Sequence, residues 1–120
     1  MLQNEKTKNL TTFIKKEISE IQRDPPMNQD AEQALLGAIL SNNQALEKVE
    51  DFLVAEDFSK KINRIIFLAL KKIINNDQIA DINTIKLYLE NDEEFLKNGG
   101  LAYLLKISEN SISIVNSKQY

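Results

Sequence analysis

Six consecutive residues, from Leu35 to Leu40, are all apolar or glycine. They belong to the segment 28–40, NQDAEQALLGAIL, which predicts a helix over about 29–41 with Asn28 as its N-cap. A helix that is apolar on every side is buried on every side, so this helix needs neighbours around it. The chain has 120 residues, enough for one domain with one modest core. The segment therefore predicts a compact bundle in which this helix is central.

Gly37 is unexpected inside such a helix, because glycine costs about 1 kcal/mol relative to alanine in a helix interior. The chain uses alanine freely nearby, at Ala34 and Ala38. Since glycine has no Cβ, it allows a neighbouring helix to approach closely. We therefore expect packing against that neighbour to offset the propensity cost. The alternative is a glycine that the helix merely tolerates.

Residues 62–74 show the clearest apolar periodicity in the chain and predict a long amphipathic helix. The main apolar stripe consists of Ile62, Ile65, Ile66, Ala69, Leu70, Ile73 and Ile74. The other side carries the cations Lys60, Lys61, Arg64, Lys71 and Lys72. Phe67 and Leu68 lie off the main stripe, which predicts a second apolar surface that another element or a partner covers.

The segments on either side of this helix also predict helices. The segment 43–52 is expected to form a short one, and Phe58 in the connector that follows is expected to fill the core. Asp81, with Thr84 three residues later, is expected to cap another helix at its N-terminus.

The C-terminal part continues in the same way. A helical turn within 91–100 should end at the Gly99–Gly100 pair, because glycine readily adopts the geometry of a helix C-terminus. A helix should follow over 101–110, and a further one should begin within 111–120. No strand pattern competes, so the predicted class is all-α, an orthogonal bundle of about five to six short helices.

Helical spacing selects the side chains that should form the core. They are Leu35, Leu36, Gly37, Ile39, Phe58, Ile66, Leu70, Ile85 and Leu104. Leu101 and Leu105 are expected to face inward beside Leu104.

The Asp24-Pro25-Pro26 sequence marks a domain boundary, because proline disfavours α geometry in the residue before it. Residues 1–24 are expected to form a flexible N-terminal arm, and residues 25–120 the folded domain. The alternative for the first segment is an amphipathic helix that docks on a partner.

The composition argues against an active site in this sequence. Histidine and cysteine are both absent, which removes the commonest general base and metal ligand and all thiolate chemistry. The three glycines do not fit a G-x-x-x-x-G-K-[ST] phosphate loop. We therefore expect no catalytic residue, metal or cofactor here. The net charge of −3 also makes direct nucleic-acid binding a weak hypothesis.

Neither a membrane nor a secretory route is indicated. No apolar run reaches the roughly 18 residues that a transmembrane helix needs. The N-terminus mixes both charge signs and lacks the apolar core of a signal peptide. We expect a cytoplasmic protein without membrane contact.

Several short stretches occur in an order that resembles one protein family. They are PP and DAEQALLGAIL within 25–40, EDF at 56–58, RIIF at 64–67, DINTI at 81–85, GGLAYL at 99–104 and ISENS at 107–111, with Asn116 and Tyr120 near the end. Together, over residues 25–120, they resemble the N-terminal domain of bacterial replicative DNA helicases of the DnaB type. The chain departs from the family pattern at Ile112, where proline is frequent, at Asn98, where apolar residues are frequent, and at the polar Ser117 and Lys118.

The resemblance implies a collar domain that comes before a helical hairpin, a linker and an ATPase motor, with this chain ending where the hairpin starts. It implies self-association from dimer to hexamer, contacts with primase and with the helicase loader, and a bacterial cytoplasmic location. ATP, Mg and single-stranded DNA would be bound by the motor domain, which moves 5′ to 3′. The candidate interaction surface consists of Phe67, Leu68, Ile112, Ile114, Val115 and Tyr120.

Two other hypotheses compete with this one. The chain could be a standalone helical adaptor that binds replication partners, or a small nucleic-acid-binding domain that uses the cations between Lys60 and Lys72.

Overall fold

The computed structural model describes Thr12, Ile14 and residues 28–117, with side chains as far as residue 110. Residues 28–117 contain no strand, and their helices are α1 (Gln29–Ser41), α2 (Ala45–Glu50), α3 (Lys61–Asn75), α4 (Ile82–Tyr88), α5 (Glu93–Lys97) and α6 (Leu101–Ser117). A 3-10 turn at Ala55–Asp57 lies between α2 and α3. The predicted all-α class is confirmed.

Helix α1 is central, as its apolar composition predicts. It packs most extensively against α6 and also contacts α2 and α3. Its N-cap is Asn28, whose side-chain Oδ1 accepts hydrogen bonds from the backbone N–H of Asp30 at 2.7 Å and of Ala31 at 3.3 Å. Every residue of α1 from Glu32 to Ile39 is buried.

All of the residues named above as the expected core are buried in the structure. They are Leu35, Leu36, Gly37, Ile39, Phe58, Ile66, Leu70, Ile85 and Leu104. Ile14, which belongs to the segment expected to be an N-terminal arm, is buried in the same core. At that position, therefore, the chain packs on the domain.

Helix α3 differs from the expectation at Phe67, which lies in the core and not on a free surface. The Phe67 ring stacks at a tilt against Phe58, with 5.1 Å between the ring centroids. The connector before α3 and helices α1, α4 and α5 all contact α3, so its buried face is wider than one apolar stripe. The interpretation of Phe67 as an interaction residue is therefore wrong.

Helix α6 differs from the expectation in two ways. It continues through residues 111–117, so no separate helix begins there, because no glycine or proline interrupts it. Its buried side chains include Tyr103, Leu104 and Ile107, whereas Leu101 and Leu105 are exposed. The inward face is therefore rotated relative to the predicted one.

The α5–α6 connection depends on two glycines with left-handed backbone angles. The φ angles are +106° at Gly99 and +55° at Gly100. The Gly99 N–H donates to the Leu96 carbonyl at 3.1 Å, and the Gly100 N–H donates to the Phe95 carbonyl at 2.9 Å. These bonds provide donors for carbonyl groups at the C-terminus of α5. The predicted stop at this pair is confirmed.

Candidate interaction surface

Leu68 is the described member of the candidate interaction surface that is accessible to solvent. Its side chain is 52% exposed on α3. The side chains of Ile112, Ile114 and Val115 lie outside the described residues, although their backbone belongs to α6. Tyr120 also lies outside them.

Leu68 stands at the middle of a basic face of α3. Arg64 precedes it by four residues, and Lys71 and Lys72 follow it by three and four, so all three lie one helical turn away. Lys61 lies two turns before Leu68 on the same side. We call Lys61, Arg64, Leu68, Lys71 and Lys72 the basic α3 face.

The cations of this face have no acidic partners in the part of the chain that the structure describes. The Nζ of Lys71 instead lies 5.7 Å from the centroid of the Phe67 ring. The Nε of Arg64 is shielded from solvent and has no hydrogen-bond acceptor. From residue 59 to residue 76 the sequence contains no aspartate or glutamate. This face therefore concentrates positive charge around one apolar side chain, and no acid among the described residues pairs with it.

Further apolar side chains are exposed on α4, α5 and α6. They are Leu87, Tyr88, Leu96, Leu101 and Leu105. Leu101 and Leu105 are four residues apart, on the same side of α6. We call Leu101 and Leu105 the α6 apolar pair.

A buried polar cluster links α1 to the start of α3. Glu32 is fully buried, and its Oε2 accepts hydrogen bonds from the Ser59 backbone N–H at 2.8 Å and from the Ser59 hydroxyl at 2.5 Å. Its Oε1 accepts from the Asn63 side-chain amide at 2.6 Å and from the Lys60 N–H at 3.4 Å. The carboxylate thus satisfies free N–H groups at the N-terminus of α3, where negative charge is favourable.

The same cluster extends to α6 through Tyr103. The Tyr103 hydroxyl donates to Asn63 Oδ1 at 2.5 Å and accepts from Gln33 Nε2 at 3.4 Å. Asn110 donates from its side-chain amide to Gln33 Oε1 at 2.9 Å. Burial raises the pKa of the Tyr103 phenol above 10.0, and the Glu32 carboxylate adds to the rise, while the hydrogen bond that the hydroxyl accepts from Gln33 lowers it. This cluster joins three helices.

Both oxygens of the buried Glu32 carboxylate are occupied by hydrogen bonds, so they serve the packing of α3. Across the described residues, no group of three or more acidic side chains is placed to hold a metal ion. In the same part of the chain, no helix is long and apolar enough to cross a membrane. The accessible features of the described residues include the basic α3 face and the α6 apolar pair.

Residues 24–120 match the sequence model of a family described as DnaB-like helicase N terminal domain. The chain is 40% identical over 100 residues to the replicative DNA helicase DnaB of Rickettsia felis. The matched region covers 83% of this chain and 20% of that protein. It is 31% identical over 96 residues to the protein of the same name from Haemophilus influenzae, covering 80% of this chain and 20% of the relative. The replicative DNA helicase DnaB of Synechocystis is 30% identical over 96 residues, and this match covers 11% of its length. The chain thus spans about a fifth or less of these relatives.

Proposed function

The chain belongs to the family of DnaB-like helicase N-terminal domains, and we propose that it is the collar and docking domain of a replicative DNA helicase. In this role the domain associates with copies of itself to form dimers and hexamers, and it binds primase and the helicase loader. ATP, Mg and single-stranded DNA are bound by a motor domain outside this sequence. The observation that carries the proposal is the family match over residues 24–120.

The structure supports a binding role for this domain. Contact with a second copy would remove the exposed apolar surface of the α6 apolar pair from water. Burial of apolar area is the main favourable term in association. The helix that bears the pair also contains Ile112, Ile114 and Val115. We assign self-association to α6 and partner docking to the surface around Leu68. We propose that this domain spans residues 25–120.

The first experiment measures the size of the native protein. An antibody raised against this chain is used to blot a lysate of the source cell and to immunoprecipitate the protein. We expect a band several times heavier than 13.7 kDa, and ATP hydrolysis in the precipitate that single-stranded DNA stimulates. A band at 13.7 kDa would reject the helicase proposal and would leave a standalone adaptor.

The second experiment tests self-association on α6. The mass of the purified chain is measured by analytical ultracentrifugation over a range of concentrations. The double variant Leu101→Ser/Leu105→Ser should shift the association to higher concentration. Leu87→Ser, which changes an exposed leucine on α4, is the matched control and should leave the association unchanged. If the two variants have the same mass at every concentration, then α6 is not part of the contact between copies.

A further inference from the structure

We propose that the basic α3 face binds an acidic, amphipathic segment of a partner protein, with Leu68 as the apolar anchor of the contact. The proposal deepens the docking role given above and rests on it. It identifies the partner by its chemistry, as a helical or extended segment that presents carboxylates around at least one large apolar side chain.

The charge distribution argues for an acidic partner. The segment 59–76 carries five cations and no acidic residue, in a chain whose net charge is −3. Like charges this close repel one another, and none of them is neutralised by an acid in the described residues. Carboxylates from a partner would remove that repulsion and would also steer the encounter.

Arg64 is the one guanidinium of the basic α3 face. Its Nε lacks any hydrogen-bond acceptor although the atom is hidden from solvent. A guanidinium presents parallel N–H donors in a planar fork that matches a carboxylate. Because the Nε is hidden, a partner carboxylate would pair with the terminal N–H groups of this half-buried side chain, in a charge-assisted hydrogen bond.

Leu68 distinguishes a peptide from a nucleic acid as the occupant. A surface that binds phosphates needs cations and polar donors, and a half-exposed leucine at its centre contributes nothing to phosphate contacts. An exposed leucine surrounded by cations favours the binding of an acidic amphipathic peptide. A central apolar anchor with a charged rim is the usual anatomy of a protein–protein contact, and the alkyl stems of Lys61, Lys71 and Lys72 would extend the apolar area.

The test is a fluorescence anisotropy titration of the chain with labelled synthetic peptides. One peptide is built of glutamate and alanine, with two leucines one helical turn apart. A second peptide has the same charge, with alanine at both leucine positions, and oligo-thymidine is the nucleic-acid probe. We expect the leucine peptide to bind, the leucine-free peptide to bind about tenfold more weakly, and oligo-thymidine not to compete.

Two pairs of matched variants locate the site. Leu68→Ser should weaken binding of the leucine peptide about tenfold, whereas Leu87→Ser on α4 should change it by less than about twofold. Lys61→Gln/Lys72→Gln should weaken binding about fivefold and reduce its salt dependence. Lys86→Gln/Lys106→Gln removes the same charge from exposed sites away from α3 and should have little effect.

Several results would overturn the proposal. They are the absence of binding, equal binding of the two peptides, equal effects of the matched variants, and oligo-thymidine binding that Lys61→Gln/Lys72→Gln abolishes. The last result would assign the face to nucleic acid. The titration is independent of the blot and the ATPase assay, so its failure would leave the helicase assignment standing.

Discussion

The side-chain amide of Asn63 on α3 donates a hydrogen bond of 2.6 Å to the Glu32 carboxylate on α1, and both residues are fully buried. A buried carboxylate is costly unless hydrogen bonds replace its hydration. Here the other donors are the backbone N–H and the hydroxyl of Ser59 and the backbone N–H of Lys60. Glu32 therefore fixes the start of α3, the helix that carries the basic α3 face, against the central helix.

Removal of the Glu32 carboxylate should strongly destabilise the domain. Glu32→Ala leaves Asn63 and the N–H groups at the start of α3 without an acceptor inside the protein. The buried Asn63 donor left unsatisfied costs roughly 1–3 kcal/mol, whereas Ser59 and Lys60 are exposed residues, so the free energy of unfolding should fall by about 1–3 kcal/mol. Urea denaturation measures it. Glu90→Ala, at an exposed position, is the control and should change stability by less than about 0.5 kcal/mol. Equal losses in both variants would show that the buried cluster is not a stabilising feature.

Tyr103 should make the domain sensitive to alkaline pH. The pKa of the folded phenol is raised by burial, so the neutral form is favoured in the native state. Its contribution to stability is complete below the unfolded pKa of about 10 and is lost as the pH rises through the raised folded value. Between about pH 9 and pH 11, Tyr103→Phe should therefore lose less stability than the unmodified chain. Tyr88→Phe, at an exposed tyrosine, is the control and should follow the unmodified chain. A parallel loss in Tyr103→Phe would contradict this linkage.

The left-handed turn between α5 and α6 should not tolerate side chains. A Cβ at Gly100 would meet Phe95 at 3.6 Å, an ordinary contact, so the cost of Gly100→Ala comes from the φ of +55° and not from a clash. We expect a loss of about 1–2 kcal/mol. Gly99→Ala, at φ +106°, should lose at least as much. Asp77 has a φ of +62°, and Asp77→Gly should leave stability unchanged or raise it. Thermal unfolding of the three variants checks the order, and a neutral Gly99→Ala would show that the turn can relax.

Local signals made much of the fold predictable. Asn28 was recognisable as an N-cap, and Asp81 forms the predicted cap, because its carboxylate accepts from the Thr84 N–H at 2.9 Å. These contacts connect residues two or three positions apart, so residue type and spacing are enough to find them. The central position of α1 followed in the same way from its apolar composition.

Longer-range packing explains where the sequence was misleading. Phe67 lies off the main apolar stripe, and a periodic pattern does not tell whether a second face meets the same domain or a partner. Glu32 lies in the first turn of α1, where any acid complements the helix dipole, so its position in the sequence does not indicate its long-range partners. Its actual partners, such as Asn63, are 31 residues away, and Tyr103 is 40 residues beyond Asn63. The one available signal was the Glu32–Gln33 pair directly before an all-apolar run.

The Asp81 cap itself can be measured. The Asp81 backbone N–H also donates to the Thr84 hydroxyl at 2.8 Å, which makes the cap reciprocal. Asp81→Ala should lower the free energy of unfolding by about 1 kcal/mol, as seen for the loss of such caps. Asn83→Ala changes an exposed residue in the same first turn and should be close to neutral. Urea denaturation that ranks the two variants in the opposite order would show that the cap is not the source of the stability.

Gly37 allows the packing of the central helix to be tested directly. The residue is buried in α1, where alanine would gain about 1 kcal/mol of helix propensity. If a neighbour approaches closely at this point, the added methyl overpacks the core at a cost of typically about 1–3 kcal/mol. We therefore expect Gly37→Ala to lower the melting temperature in spite of its better propensity. Ala31→Gly, at a half-buried position in the first turn of the same helix, should be destabilising, because glycine has the lower helix propensity. A higher melting temperature for Gly37→Ala would show that the glycine has no role in packing and that the helix merely tolerates it.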